Sequence, residues 1–223
     1  MNDLVIYGAG GFGREVAQLL VDLNAQSPQW SVLGFLSDDA TWHGRIVGDL
    51  PVLGGSEWVH ARTAPIAIAM GVGGPALKRR LVERVRNPRA SFPTLVHPSV
   101  LVGRRVSLAE GTIVCAASVI TVDVRVGAFS TVNLCCTIGH DAVLGDYSTL
   151  APSVNVSGNV TVGEGTDVGT GSKVIQGVSI GAWSIVGAGA VVSRDLPPNV
   201  TAVGVPAKAI KERPSGWYRD DHA

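Results

Sequence analysis

Two adjacent residues in the middle of the chain, His140 and Asp141, carry groups suited to proton transfer. Imidazole is the side chain best suited to accept a proton near neutral pH, and a neighbouring carboxylate can orient its ring. Gly158 follows eighteen residues after His140, and its unobstructed backbone N–H could donate to an oxyanion. These three residues predict a general-base site, provided that the fold stacks residues eighteen positions apart.

A glycine-rich turn near the N-terminus is a second candidate site. The sequence Gly8-Ala9-Gly10-Gly11-Phe12-Gly13 lies between an apolar run, Leu4 to Tyr7, and a segment with helical spacing. It matches G-x-G-x-x-G, in which the backbone approaches a phosphate group at a helix N-terminus. Asp38 and Asp39 end a second apolar run, where an acidic residue can bind a ribose or a base. We expect nucleotide or phosphate binding; a purely structural turn and a solvated aspartate pair are the alternatives.

An unbroken six-residue repeat predicts the fold that must position His140. Every sixth residue from Val96 to Val192 is Val, Ile or Leu, and the fourth residue after each of the first sixteen is Ala, Ser, Thr, Cys or Val. This period is typical of a parallel β-helix with three short strands per coil, in which residues eighteen apart stack at about 4.8 Å. Glycines that directly follow eight of the aliphatic residues are expected to allow the sharp corners. A β-sandwich, with loops of varying length, could not keep this frame.

The region before the repeat has a different periodicity. Apolar runs that read as strands, Leu4 to Tyr7, Val32 to Leu36 and Ile66 to Met70, alternate with helical patterns, of which the last covers Ala76 to Arg86. The alternation predicts a small parallel-sheet, Rossmann-like α/β domain with ligands at the carboxyl ends of its strands. This N-terminal region is too short to form a full NAD-binding site. We therefore predict an α/β domain at 1–92, a β-helix at 93–212 and a tail at 213–223, to which we assign no role.

Composition limits the partners of the chain. Its 18 basic and 18 acidic residues cancel, which gives no electrostatic case for nucleic acid or an anionic membrane. The three cysteines, Cys115, Cys135 and Cys136, all lie within the repeat and do not suggest a disulfide framework. No segment reaches the length of a membrane span, and the N-terminus lacks the features of a signal peptide. We expect a cytoplasmic enzyme.

Several short motifs, in order, cover almost the whole chain and resemble one family. They are Ile6 to Gly13, Ala69-Met70-Gly71, His97-Pro98-Ser99, Asn133 seven residues before His140-Asp141, Gly158-Asn159-Val160, and Gly204-Val205-Pro206-Ala207-Lys208. With this order and spacing the chain resembles the hexapeptide-repeat sugar O/N-acyltransferases, typified by sialic acid O-acetyltransferases and N-acetyltransferases of nucleotide-linked 4-amino sugars. Each motif is weak alone, but their arrangement is specific.

The resemblance implies a left-handed β-helix, a homotrimer, acetyl-CoA as co-substrate in the groove between subunits, and no metal. It implies that His140 is the general base, that Asp141 supports it, and that the Gly158 N–H faces the thioester carbonyl. The substrate, a nucleotide-linked amino sugar, would contact Gly10, Gly11, Phe12, Gly13, Asp38, Asp39, Gly71 and Asn133. Acetyl-CoA would contact Thr149, Gly158, Gly187, Gly204, Pro206, Ala207 and Lys208.

One residue departs from the family pattern, and three other functions remain open. Several members have a second histidine nine residues after the base, where this chain has Thr149, which leaves the acyl group in doubt. O-acetylation of a sialic acid is the main alternative to N-acetylation. A γ-type carbonic anhydrase would need three histidines for zinc, but the repeat offers only His97 and His140. A non-catalytic scaffold would not account for the glycine turn or the isolated His-Asp pair.

Overall fold

The computed structural model describes residues 1–219, which form two compact units. The first contains residues 1–73 and 77–98, and the second contains residues 74–76 and those from Ser99 onward. The boundary between Pro98 and Ser99 lies six residues after the predicted one. No helix among the described residues is long and apolar enough to cross a membrane.

The first unit is an α/β domain. Its sheet has the strand order β3-β4-β2-β1-β5-β6, parallel throughout except for the antiparallel hairpin β3–β4. The elements are β1 (Asn2–Tyr7), α1 (Gly11–Gln26), β2 (Trp30–Leu36), a 3-10 helix (Ala40–Trp42), β3 (Ile46–Val47), β4 (Leu50–Gly54), α2 (Ser56–His60), β5 (Ile66–Met70), α3 (Pro75–Arg84), β6 (Ala90–Ser91) and β7 (Leu95–Val96).

The central strands supply the core of this unit. Leu4, Val5 and Ile6 on β1 are all fully buried, and so is Ile68 on β5. Burial of consecutive residues is expected for a parallel strand that is covered on both faces. The three predicted strands are confirmed. The hairpin β3–β4 and the strand β6 were not predicted; β3 and β6 have only two residues each, and strands that short leave almost no periodicity in a sequence.

The second unit is the predicted parallel β-helix. Successive two-residue strands turn around three faces, and each strand pairs in parallel with the one eighteen residues later, as Thr137 does with Asn155. The first face carries β8 (Leu101–Val102), β11 (Val119–Ile120), β14 (Thr137–Ile138), β17 (Asn155–Val156), β20 (Lys173–Val174) and β23 (Val191–Val192). The second face carries β9 (Ser107–Leu108), β12 (Arg125–Val126), β15 (Val143–Leu144), β18 (Thr161–Val162) and β21 (Ser179–Ile180). The third face carries β10 (Ile113–Val114), β13 (Thr131–Val132), β16 (Thr149–Leu150), β19 (Asp167–Val168), β22 (Ile185–Val186) and β24 (Val200–Val203), and β25 (Lys208–Glu212) pairs antiparallel with β24.

Two inward columns fill the β-helix, as the repeat predicts. The aliphatic column is at most 3% exposed from Ile120 to Val192. From Thr112 onward the column of small residues is buried too, and most of its hydroxyl groups donate to backbone carbonyls fifteen residues later, as Ser130 Oγ does to Gly145 O at 2.9 Å. These bonds allow Ser and Thr to lie inside without an unsatisfied polar atom.

The corners form differently from the prediction. The left-handed backbone conformation occurs three residues after the aliphatic position, as in Asp123 (φ 59°) and Asp141 (φ 57°), and not at the glycine that directly follows it. At that glycine the next coil approaches closely: a Cβ on Gly139 would overlap the Gly158 backbone nitrogen. The glycines after the aliphatic residues therefore permit tight stacking of coils, and the prediction that they supply the corner conformation was wrong.

The described part of the predicted tail folds onto the second unit. The Tyr218 ring stacks on Trp183 with a centroid separation of 3.5 Å, and Trp217 Nε1 donates to the Trp183 carbonyl at 3.1 Å. The Arg213 guanidinium lies 4.7 Å from the centre of the Trp217 ring. Residues 220–223 of the predicted tail lie outside the described residues.

Candidate functional site

The imidazole of His140 lies on the corner between the first and second faces. Its Nδ1 is 2.8 Å from Asp141 Oδ2, and both side chains are about half exposed. Because a carboxylate only accepts hydrogen bonds, Nδ1 donates and Nε2 keeps its lone pair. The left-handed backbone at Asp141 turns its side chain to the same side as its neighbour, which an extended strand would not do. The corner thus presents an oriented imidazole with a free acceptor nitrogen.

Gly158 stands one coil above His140, as the spacing predicts. A Cβ at position 158 would overlap Nε2 and Cε1 of His140, so the ring lies directly against the glycine. Among the described residues, no acceptor is found for the Gly158 N–H, whereas the next amide, Asn159 N–H, donates to the His140 carbonyl at 2.8 Å. A proton acceptor and a backbone donor therefore lie side by side at an exposed corner, the arrangement that a general base and an oxyanion donor require.

The glycine turn of the first unit leaves the start of α1 open. Gly10, the residue before the helix, has no side chain to cap it, and a Cβ at Gly10 or Gly11 would meet nothing within 4 Å. The first N–H groups of a helix have no partner inside the helix and can bind an anion. Gly10 and Gly11 are exposed and Phe12 is half-buried. Their prediction as phosphate ligands stays a prediction.

Two other predicted substrate residues are packing glycines. A Cβ on Gly13 would overlap the carbonyl oxygen of Gly8, and one on Gly71 would overlap the Ile6 side chain and the backbone of the turn. Gly13 and Gly71 are both buried. They allow the end of β5 and the start of α1 to lie against the turn, and contact of either glycine with substrate stays a prediction.

Asp38 is the centre of a hydrogen-bond network beside this turn. Tyr7 Oη donates to its Oδ1 at 2.5 Å, Ser56 N donates to the same oxygen at 3.0 Å, and Arg84 Nη1 lies 2.6 Å from Oδ2. Burial alone would raise the pKa of Asp38, but the hydrogen bonds from Tyr7 and Arg84 outweigh it and hold the pKa below its usual value. Burial and the Asp38 carboxylate raise the pKa of Tyr7. Both oxygens of Asp38 are thus used within the domain.

Asp39 has a local role. Its Oδ1 accepts hydrogen bonds from Thr41 N at 2.9 Å and Thr41 Oγ1 at 2.7 Å, which caps the short 3-10 helix. The hydrogen bonds from Thr41 lower the pKa of Asp39. These contacts give the pair of aspartates a structural function, and nucleotide contact by either residue stays a prediction. Tyr7 and Arg84 were missed because their link to Asp38 comes from the sheet order and not from sequence proximity.

Asn133 and Thr149 do not lie beside His140 within the chain. Asn133 occupies the corner between the third and first faces, where its Oδ1 accepts from Leu134 N at 2.7 Å. Thr149 lies on the third face and is only 6% exposed. The structure therefore unites His140, Asp141 and Gly158 but not the other two, and contact of Thr149 with acetyl-CoA stays a prediction.

The predicted acetyl-CoA residues near the C-terminus cluster at the last coils. Gly187 packs closely against the Val203 side chain, while Gly204, with φ 97°, lies in an exposed turn before Pro206. Ala207 N donates to the Val191 carbonyl at 2.8 Å, and Lys208 is exposed at the start of β25. Contact of these residues with acetyl-CoA stays a prediction.

The other histidines and the cysteines within the described part of the chain do not cluster into a metal site. His97 Nε2 lies 3.1 Å from Asp22 Oδ2. Within residues 1–219, no group of three or more His, Cys, Asp or Glu residues could hold a metal ion. The three cysteines are unbridged, and burial raises the pKa of the Cys136 thiol to about 11. The zinc ligands that a γ-type carbonic anhydrase needs are not assembled among the described side chains.

Comparisons with known proteins match both units. The PglD N-terminal domain family matches residues 3–85. GDP-perosamine N-acetyltransferase of Escherichia coli O157:H7 is 28% identical over 151 residues, which cover 67% of each protein. UDP-N-acetylbacillosamine N-acetyltransferase of Bacillus subtilis (strain 168) is 36% identical over 128 residues, which cover 52% of each protein. The chain thus aligns with roughly half to two thirds of the length of these relatives.

A solved structure matches nearly the full chain. PerB from Caulobacter crescentus, in complex with CoA and GDP-perosamine, is 33% identical and superposes with a TM-score of 0.85 over 95% of this chain and 98% of PerB. Two variants of that enzyme, with a histidine replaced by asparagine or by alanine, also bind CoA and GDP-perosamine. The chain belongs to the hexapeptide-repeat sugar O/N-acyltransferase family.

Proposed function

We propose that this acyltransferase transfers the acetyl group of acetyl-CoA to the amino group of a nucleotide-linked 4-amino sugar. The observation that carries the proposal is the His140 ring, oriented by Asp141 and seated against Gly158 at an exposed corner. The relatives support this choice of substrate, because they are N-acetyltransferases named for nucleotide-linked perosamine and for bacillosamine. A histidine is also the residue that was replaced in two solved variants of the Caulobacter crescentus relative, each in complex with CoA and GDP-perosamine.

Direct transfer of the acetyl group gives a role to each of the three residues at the His140 corner. The sugar amine attacks the thioester carbonyl carbon, and the new C–N bond forms as His140 Nε2 takes the amine proton. The Gly158 N–H donates to the oxyanion, which then collapses with cleavage of the C–S bond. The proton passes from His140 to the CoA thiolate, so no covalent enzyme intermediate forms. Asp141 holds the imidazole in the tautomer that accepts at Nε2.

A homotrimer would complete the site. Asn133 and His140 lie at different corners of one chain, so a neighbouring copy could bring its Asn133 beside this His140. In this arrangement acetyl-CoA would lie between copies, and the glycine turn of the first unit would hold the nucleotide. We place the reaction in the cytoplasm, where acetyl-CoA and nucleotide sugars are available.

A panel of acceptors tests the proposed function. Purified enzyme is incubated with acetyl-CoA and with UDP-, GDP- or dTDP-linked 4-amino sugars, the matching 4-hydroxy sugars, or sialic acid. Release of free CoA thiol and mass spectrometry of the product report transfer. We expect one of the amino sugars to gain one acetyl group. Acetylation confined to hydroxyl acceptors would establish O-acetylation, and the absence of transfer to every acceptor would refute the proposal.

A further inference from the structure

The hairpin β24–β25 carries the turn at 204–207 that is predicted to contact acetyl-CoA. Its outer strand, β25, pairs with β24, and all five of its residues are exposed. The pairing shifts register between Thr201 and Ala202, and such an irregularity locally disrupts the hydrogen-bond ladder. An exposed strand with an interrupted ladder opens at a low cost in free energy. The position of the turn therefore depends on how the two ends of the hairpin are anchored.

The turn itself is anchored by two backbone hydrogen bonds. Val191 N donates to the Gly204 carbonyl at 3.0 Å, and Ala207 N donates to the Val191 carbonyl at 2.8 Å. Because Val191 begins β23 on the first face, the turn lies at the corner between the third and first faces, the corner that also bears Asn133. In the proposed homotrimer, this corner would meet the His140 corner of a neighbouring copy.

The open end of the hairpin is tied down by the residue that follows β25. Arg213 N donates to the Asn199 carbonyl at 2.8 Å, and Arg213 Nη1 donates to Thr201 Oγ1 on β24. The same guanidinium lies 4.7 Å from the centre of the Trp217 ring, within the range of cation–π attraction. Arg213 thus links β24 to the short 3-10 helix Trp217–Arg219.

Trp183 is a firm anchor for that helix. It lies at the corner between the second and third faces, is only 5% exposed, and a Cβ on Gly165 in the coil below would overlap its ring. Trp217 Nε1 donates to the Trp183 carbonyl at 3.1 Å, and the Tyr218 ring stacks on Trp183 with a centroid separation of 3.5 Å and an interplanar angle of 14°. The segment 213–219, which we call the strap, therefore joins the end of β25 to a buried side chain.

We propose that the strap positions the turn at 204–207 for acetyl-CoA. This inference rests on the proposed function, because it needs acetyl-CoA at that turn. With the strap in place both ends of β25 are held, and the turn is ordered before acetyl-CoA arrives. Without the strap β25 opens from its free end, and binding must supply the cost of ordering it. Because the strap and His140 lie at different corners, the strap affects binding of acetyl-CoA and not the chemical step. Its side chains are positioning residues.

Kinetics of the double variant Trp217→Ala/Tyr218→Ala test the assignment. We expect KM for acetyl-CoA to rise about 10-fold through lost preorganisation, with kcat and KM for the nucleotide-linked amino sugar unchanged. Tyr218→Phe keeps the stacked ring and should keep most of the wild-type affinity. Tyr147→Ala is the matched control, because it removes the ring that stacks on Phe129 at 5.2 Å at the same corner, two coils below Trp183. KM for acetyl-CoA should not change in this control.

Two measurements without turnover separate this inference from the proposed function. Trypsin cleavage after Lys208 and Lys211 reports the opening of β25, and it should be faster in the double variant but not in Tyr147→Ala. Calorimetric titration with CoA should show affinity lower by the same factor as KM. Faster cleavage with unchanged affinity for CoA, or an equal rise in both KM values, would make the strap merely structural and overturn the inference. Wild-type enzyme that acetylates no amino sugar would refute the proposed function, and the CoA titration would still decide on the strap.

Discussion

At the scale of single residues, one backbone conformation makes the His140–Asp141 pair. Adjacent residues of a strand point in opposite directions, but Asp141 has φ 57° and its carboxylate returns to Nδ1 of its neighbour. The sequence predicted the pair and its stacking with Gly158 from the eighteen-residue period. It did not single out Arg105 and Asp123, although the same eighteen-residue period stacks them into an exposed ion pair.

Replacement of Gly158 by alanine tests the close seat of the imidazole. The new Cβ would overlap Nε2 of His140, and the half-exposed ring would swing toward solvent. We expect kcat to fall about 10²-fold or more while the melting temperature changes little, because the base leaves its position without disturbance of the core. In the double variant with His140→Ala, the glycine change should cost no further activity. Near-normal kcat in Gly158→Ala would contradict the described geometry.

The Asp38 network predicts a pH dependence of stability. The folded-state pKa of Asp38 lies below its ordinary value, so its contribution is present above the ordinary carboxyl pKa and is lost as pH falls through the folded-state value. Urea unfolding between neutral pH and about pH 3 should show a smaller acid loss of stability in Asp38→Asn than in wild type. Tyr7→Phe, which removes one donor to Asp38, should lie between them. Parallel pH curves for all three proteins would contradict the assignment.

At the scale of elements, the aliphatic column holds the β-helix together. Ile138, next to the His140 corner, has no exposed surface, whereas Val102 in the same column at the first coil is 46% exposed. The repeat predicted this column residue by residue, since a one-residue slip would turn it out to solvent. The corner geometry was mispredicted because glycine suits either a left-handed turn or a close approach of backbones, and a sequence does not distinguish the two.

Truncation of side chains in the aliphatic column should lower the free energy of unfolding by unequal amounts along the β-helix. Ile138→Ala leaves a cavity in a fully buried position and should lower the free energy of unfolding by about 2–5 kcal/mol. Val102→Ala removes fewer atoms from a half-exposed site and should cost less than about 1 kcal/mol. Chemical denaturation monitored by circular dichroism measures both. Equal losses would show that the column does not fill the interior as described.

At the scale of the whole molecule, the chain joins an α/β unit with an open helix N-terminus to a β-helix that bears the His140–Asp141 pair. Sequence periodicity predicted both units, and the short motifs predicted the family. The Tyr7–Asp38–Arg84 network was not predictable, because residues 31 and 46 positions apart meet only once the sheet order is known. The family resemblance alone implied contact of acetyl-CoA with this chain; no spacing of residues in the sequence predicted it.

The most direct test of the account is the rate of acetyl transfer by His140→Ala with the nucleotide-linked amino sugar that the wild type accepts. Single-turnover measurements isolate the chemical step, and Arg104→Ala, at the same hexad position two coils below, controls for changes at an exposed corner. The account predicts a rate about 10²- to 10⁴-fold below wild type, with an unchanged melting temperature. A rate above about a tenth of wild type would contradict the assignment of His140 as the general base.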